Sequence, residues 1–198
     1  MNATPRQARL PLFPLNTVIF PGGQLPLRIF EQRYLGMVKQ AIAESTPFGI
    51  CAIREGAESG PPAVPYPVGT LVRVTDWDMP QTGILHIGTQ AQERFVIRST
   101  HTEPGGLLIG TVEAVSSEAA TAVPEELELA VEILRHIIDE YGDTRFPAPH
   151  EFDNAVWVGY RLSEVLPLKL SVKQSLLEMN DSVTRLRILT EFLRKQTN

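Results

Sequence analysis

Cysteine is almost absent from this 198-residue chain: Cys51 stands alone, so no internal disulfide can form and no thiol cluster is available for a structural metal site. That scarcity fits a reducing compartment, and a cytoplasmic location is expected. Histidine adds four candidates and no cluster. His86, His101, His136 and His150 lie 15, 35 and 14 residues apart, none pairs at metal-ligand spacing, and His150-Glu151 lacks the second histidine of a zincin motif. No metal is expected. There is no Gly-x-x-x-x-Gly-Lys-[Ser/Thr] loop and no Gly-x-Gly-x-x-Gly after a strand-like run, so neither device for holding phosphates is present and no cofactor is expected. A Gly-x-Ser-x-Gly nucleophile turn is missing too.

Basic residues are in deficit, 18 against 23 acidic, for a net charge of −5. Non-specific binding to a phosphate backbone needs the opposite balance, which argues against nucleic acid as a partner. No apolar run approaches the ~20 residues needed to cross a bilayer, and no membrane association is expected. Arg6 and Arg9 precede an apolar stretch, but Pro11 and Pro14 interrupt it and no small-residue cleavage pattern follows. An export signal is not read there.

What the chain does have is a globular composition, 43% apolar and 21% charged, together with 16 Pro and 14 Gly unevenly spread. Such a chain folds on its own and buries roughly 70% of its unfolded surface. Up to about Glu118, short apolar runs alternate with Pro and Gly; beyond Thr121 the apolar residues take a helical period. Two subdomains are expected, residues 1–119 and 120–198. In the first, strands are predicted at Leu10 to Phe13, Leu25 to Ile29, Phe48 to Arg54, Gly69 to Asp76, Ile84 to Thr89, Arg94 to Arg98 and Leu107 to Val115. Their number and spacing favour a closed sheet without exposed edges. One helix interrupts them, with Phe30, Tyr34, Met37, Val38, Ala41 and Ile42 as its apolar stripe, opened by Glu31 and closed by Pro47. Glu55 to Pro67 reads as a surface loop.

The second subdomain is expected to open at Pro124, with Glu125 and Glu126 in a favourable first turn, a stripe of Leu127, Ala130, Val131, Leu134, Ile137, Ile138 and Tyr141, and a stop at Gly142. Asp153 is placed as the cap of a helix to about Val165, Ser171 with Gln174 as a capping box for a short helix to Met179, and Asp181 or Ser182 as the cap of a last helix bearing Leu186, Leu189 and Leu193.

No catalytic constellation emerges. Cys51, in Phe48-Gly-Ile-Cys-Ala-Ile-Arg54, reads as a small buried hydrophobe. Asp76-Trp77-Asp78 is read as a strand end with two solvated carboxylates and a packed indole rather than an acid and base. Ser163 with Lys169, or Ser171 with Lys173, is a weak candidate dyad, Ser171 having a better use as a cap.

The most specific stretch is Leu10 to Tyr34, in which Pro14-Leu15, Phe20-Pro21, Pro26-Leu27 and Ile29-Phe30-Glu31-x-Arg33-Tyr34 follow one another. It resembles the start of the Lon protease N-terminal domain. Gly69-Thr70, Arg94-Phe95-x-Ile97, Leu166-Pro167-Leu168 and Lys173-Gln174-x-Leu176-Leu177-Glu178 extend the resemblance along nearly the whole chain, with Ala91 departing where the family often has Gly. The resemblance implies an α+β fold, a PUA-like β pseudo-barrel with one inserted helix followed by a small helical bundle. It also implies a non-catalytic module that recognises client proteins or serves a protease or chaperone partner, standing alone without ATPase or peptidase modules. Pro14, Pro21 and Pro26 are expected at corners of the extended segment. Arg33, Tyr34, Arg94 and Trp157 are the candidate protein-binding residues, anchors of the type common at interfaces, in a groove between barrel and bundle. An RNA-binding PUA-like protein and a small-molecule binder or hydrolase using Asp76, Asp78 or His86 are the alternatives. A homodimer through Val183 to Lys195 is weighed against packing of that helix inside the bundle, and packing is preferred.

Overall fold

The alternation of apolar residues with Pro and Gly produces six strands, seen in a computed structural model that describes residues 7–142 and 145–197. Arg6 lies outside the described residues. The strands are β1 (Ala8–Leu15), β2 (Leu27–Ile29), β3 (Phe48–Glu55), β4 (Val64–Gln81), β5 (Ile84–Thr102) and β6 (Leu108–Ala114). They run β2-β5-β4-β3-β1-β6, and β6 pairs back onto β5, so five of the strands close into a barrel with β2 added outside on β5. Only β1 and β3 are parallel among these pairs. One helix, α1 (Gln32–Glu44), lies between β2 and β3. The fold class is the mixed α+β one expected.

Several expectations shift in instructive ways. The two strands expected at 84–89 and 94–98 are a single strand, because the polar stretch between them is absorbed by a bulge: the pairs Thr70↔Arg94 and Val72↔Ala91 count one extra residue on β5. β4 begins at Val64, inside the expected loop, and runs on to Gln81. Pro14 lies within β1, opposite Cys51, instead of at a corner. It is tolerated because pairing with β6 ends at Leu12, so the missing donor faces no partner strand on that side.

The α1 stripe does bury Tyr34, Leu35, Met37, Val38 and Ala41, which share a core with Phe13, Phe48, Ile50, Val72 and Leu85 of the sheet. A smaller cluster joins Leu10, Leu12, Cys51, Phe95, Leu108 and Val112. Phe30 is not part of the stripe. It precedes the helix, whose N-cap is Glu31, and is 58% exposed. Cys51 is buried, and desolvation pushes its thiol up to about 12, so the neutral, unreactive form holds at neutral pH.

The chain divides into two compact units, one ending at Ser117 and one beginning at Glu118. Among the described residues the second unit holds four α-helices, α2 (Glu128–Tyr141), α3 (Ala155–Val165), α4 (Leu170–Glu178) and α5 (Ser182–Thr197), with a 3-10 turn at Glu125–Leu127 before α2. Tyr141, expected in the stripe of α2, is exposed at its last position. The cap of α3 is Asn154, one residue beyond the expected Asp153, and its side chain accepts from Val156 N–H. Ser171 lies inside α4, which starts after Lys169 without a side-chain cap, and Gln174 turns inward to donate to Glu178. Leu186, Leu189 and Leu193 of α5 are buried.

At the start of α5, Asp181 accepts from the Thr184 backbone N–H at 2.9 Å and from its hydroxyl at 2.8 Å. These bonds hold its carboxyl below the ordinary aspartate range. A carboxyl depressed on folding contributes stability above its unfolded value, about 3.9, and loses that contribution as pH falls through the folded value. The difference in melting temperature between the parent and Asp181→Ala is therefore expected to be full at pH 6 and to shrink below about pH 4. A difference that grows on acidification contradicts the cap.

Candidate functional site

Three of the four residues expected on a binding surface are interior. Tyr34 is 4% exposed, its ring stacked on Phe13 at 4.1 Å, and burial raises its phenol pKa. Arg94 is 3% exposed and faces Thr70 across the β4–β5 ladder. The Arg33 guanidinium is spent on internal contacts, donating to Glu31 at 2.8 Å and to the Gly106 carbonyl at 3.2 Å, and lying 4.6 Å over the Tyr34 ring. Arg33 ties Gly106 to the start of α1 and Tyr34 packs α1 against Phe13, so these side chains, like that of Arg94, lie inside the first unit. Trp157, in the second unit, is half-buried in a cluster with Phe152 at 5.4 Å and His150 at 5.8 Å, while Arg135 covers the other aromatic, Phe152, at 3.9 Å. Arg135, His150 and Phe152 line a cavity of about 360 Å³ together with Ile138, Asp139 and Gly142. It is polar, and its imidazole is engaged with the Phe146 carbonyl.

The sequence reading missed the exposed apolar residues of the first unit. Four large ones stand out, Val64, Trp77 and Met79 on β4 and Phe30 just beyond β2. Leu27, Ile87 and Trp77 form a row across β2, β5 and β4, and the next row on the same face is Ile29 with Leu85. Ile87 and Leu85 are buried, whereas Trp77 lies beyond the core and is 57% exposed. This corrects the expectation of a packed indole. Met79 follows it at 38% exposure, and Phe30 follows Ile29 at the end of the ribbon where β4 turns into β5. The available signal was position: Trp77 sits between two carboxylates at the outer end of a strand that outruns its neighbour β3.

A groove of about 290 Å³ lies beside Trp77, floored by Ala41, Ile42 and Val74 and bordered by Ser45, Thr46, Arg73 and Thr75. Arg73 spans it, donating to the Ser45 carbonyl and to Gln92. Asp76, Asp78 and His86 are exposed and line neither cavity, and the Asp78↔His86 pair is an ordinary cross-strand register. The weak dyads are engaged elsewhere: Ser163 donates to the Gly159 carbonyl and Lys173 to the Glu164 carbonyl. Burial lowers the Lys173 pKa. Among the described residues no cluster of three or more His, Cys, Asp or Glu is placed to hold a metal.

The ribbon thus leaves large apolar side chains in solvent at its tip. Over residues 9–195 the chain matches the family model of the ATP-dependent protease La (LON) substrate-binding domain. The chain belongs to this family. That Lon domain is a substrate-binding, non-catalytic one, and the match spans both units. The fold of a Lon N-terminal domain protein from Xanthomonas campestris superposes with a TM-score of 0.77 at 32% identity, covering 92% of this chain and 96% of that one. The N-terminal domain of a Mycobacterium avium complex Lon protease shares the fold with a TM-score of 0.64 at 18% identity, over 93% and 97% of the two chains. Lon protease of Anaeromyxobacter dehalogenans is 27% identical over 96% of this chain, and Lon protease 2 of Myxococcus xanthus 25% over 94%. The chain spans 23% and 24% of the length of those two curated relatives.

The family motifs meet in space. Gly69 and Thr70 lie opposite Phe95 and Arg94, and the Thr70 hydroxyl donates to the Ile19 carbonyl at 2.7 Å. Their role is to fix the barrel of the Lon domain. Phe30, inside the Ile29-Phe30-Glu31-x-Arg33-Tyr34 motif, is the motif residue left at the surface with more than half its area exposed.

Proposed function

We propose that this chain holds client polypeptides in non-native form through the ribbon tip of its first unit, without catalysing a reaction on them. The observation that carries this reading is the exposure of Trp77 and Met79 on β4 and of Phe30 just beyond β2, within a Lon substrate-binding domain. Unfolded chains expose the apolar side chains that such a patch covers, and native proteins bury them. A protease or chaperone that acts on the held client is the expected partner. The burial of Leu186, Leu189 and Leu193 in the second unit supports a monomer over pairing through α5. A cytoplasmic location belongs to the same reading, supported by the buried single thiol. Among the described residues no helix is long and apolar enough to cross a membrane.

Titration with a reduced, alkylated and therefore permanently unfolded model protein, against the same protein in native form, tests the reading. Saturable binding to the unfolded form alone is expected. A triple variant, Phe30→Ser, Trp77→Ser and Met79→Ser, is expected to bind it about tenfold more weakly or worse, the loss of roughly 1.4 kcal/mol or more of contact energy. These side chains are exposed, so the fold is retained. Equal affinities for parent and variant contradict the assignment.

A further inference from the structure

β4 outruns β3. Their pairing ends at Phe48↔Val72, while β4 continues to Gln81 with β5 on one side. Among the described residues no strand pairs with its other side, and Thr75 through Gln81 are all exposed. Such an edge presents backbone donors and acceptors at strand spacing, which an extended polypeptide is built to satisfy. Bulges on β4 between Val74 and Asp76 and between Asp78 and Gln81 leave the regular stretch of this edge at Asp76 to Asp78, and Pro80 beyond it lacks a donor.

Building on the client-binding reading, we infer that an extended, cationic and aliphatic client segment adds as a strand to this edge of β4, beside Trp77. Its apolar side chains meet Trp77 and the groove floor of Ala41, Ile42 and Val74. Its cations meet Asp76 and Asp78, which alternate with Trp77 along the strand and so face away from the groove; Asp76 also accepts from the Thr75 hydroxyl at 2.8 Å. Arg73 is already engaged with Ser45 and Gln92, and His86 and Arg28 lie beyond Asp78 on the far strands. The same charges select against a second copy of this chain. Antiparallel pairing of two β4 edges about Trp77 sets Asp76 of each against Asp78 of the other, and like charges directly opposite are destabilising.

Fluorescence anisotropy of labelled ten-residue peptides with the full chain tests the mode. An alternating Lys/Val peptide is expected to bind saturably. N-methylation of every second residue, which removes backbone donors and keeps the side chains, is expected to weaken it about tenfold or more, as loss of one to two net hydrogen bonds does. A Glu/Val peptide is expected to bind weakly, and the exposed charge reversal Asp78→Lys to narrow the gap between the two. Equal binding of methylated and unmethylated peptides overturns strand addition while leaving client binding intact. Binding of the unfolded model protein without any peptide binding overturns the edge as the site and leaves the proposed function standing; failure of both overturns both. A concentration-dependent dimer in light scattering that Trp77→Asp dissolves assigns the edge to a second copy and overturns the inference.

Discussion

Arg185→Met is expected to lower the stability of the helical unit by about 3–5 kcal/mol, the usual cost of removing one member of a buried ion pair. Arg185 is completely buried in the parent chain, on α5. Its guanidinium donates to Glu118 at 2.5 Å, to the Leu176 carbonyl at 3.0 Å and to the Met179 carbonyl at 2.5 Å, and lies 4.3 Å over the Tyr160 ring. Glu118 accepts in turn from the Tyr160 hydroxyl at 2.6 Å, and its side chain is only 6% exposed. Methionine fills much of the volume but takes the cation from a buried carboxylate that keeps the Tyr160 hydroxyl, and removes the donor from two carbonyls. Gly159 makes the arrangement possible: a Cβ there would approach Arg185 Cδ to 3.2 Å. Glu118→Gln keeps an acceptor without the charge and is expected to cost less, and the double variant less than the sum, because both changes act on one network. Denaturant unfolding followed by Trp157 fluorescence in a Trp77→Phe background reads this unit by itself, since a chain of two units need not unfold in one step. Equal, additive small losses contradict the network.

Gly69→Ala is expected to destabilise the barrel by about 1–3 kcal/mol through overpacking, although alanine is intrinsically the better strand residue. The added Cβ would come within 2.6 Å of the Ile50 carbonyl oxygen and 2.6 Å of Phe95 Cζ. A backbone oxygen in the ladder cannot move aside. At Gly49 the obstacles are side-chain atoms, Phe95 Cζ at 2.6 Å and the methyls of Leu10 and Leu12 at 2.8 and 2.9 Å. Trimming the ring with Phe95→Leu should therefore recover more of the loss in Gly49→Ala than in Gly69→Ala. Thermal melts of the four variants decide it; equal recovery at both positions contradicts the backbone clash.

Most of the strands and the α1 stripe were legible because they depend on local periodicity, which packing then obeyed. Bulges were not legible. A bulge lets a strand continue through polar residues, as at 90–93, and only the partner strand reveals it. The cap of α3 was read to within one residue, Asn154 in place of Asp153, since either side chain accepts from the backbone. Ser171 is not a cap, since α4 already starts at Leu170 and places it in the first turn. The site was least legible. Arg and Tyr near a motif suggested a contact surface, but a motif that specifies a barrel draws its own aromatics and cations inward, as Arg33, Tyr34 and Arg94 show. The exposed trio depends on where β4 outruns β3, a tertiary fact. Asp76 and Asp78 gave the clue in sequence, since charges on both sides of an indole suit a strand edge left in water.

Amide hydrogen exchange of the full chain, with and without a saturating unfolded model protein, tests the client-binding surface most directly. Slowed exchange is predicted across residues 75–81 and 27–30, with the helices from Glu128 onward unchanged. Slowing confined to those helices, or none anywhere at saturation, contradicts it.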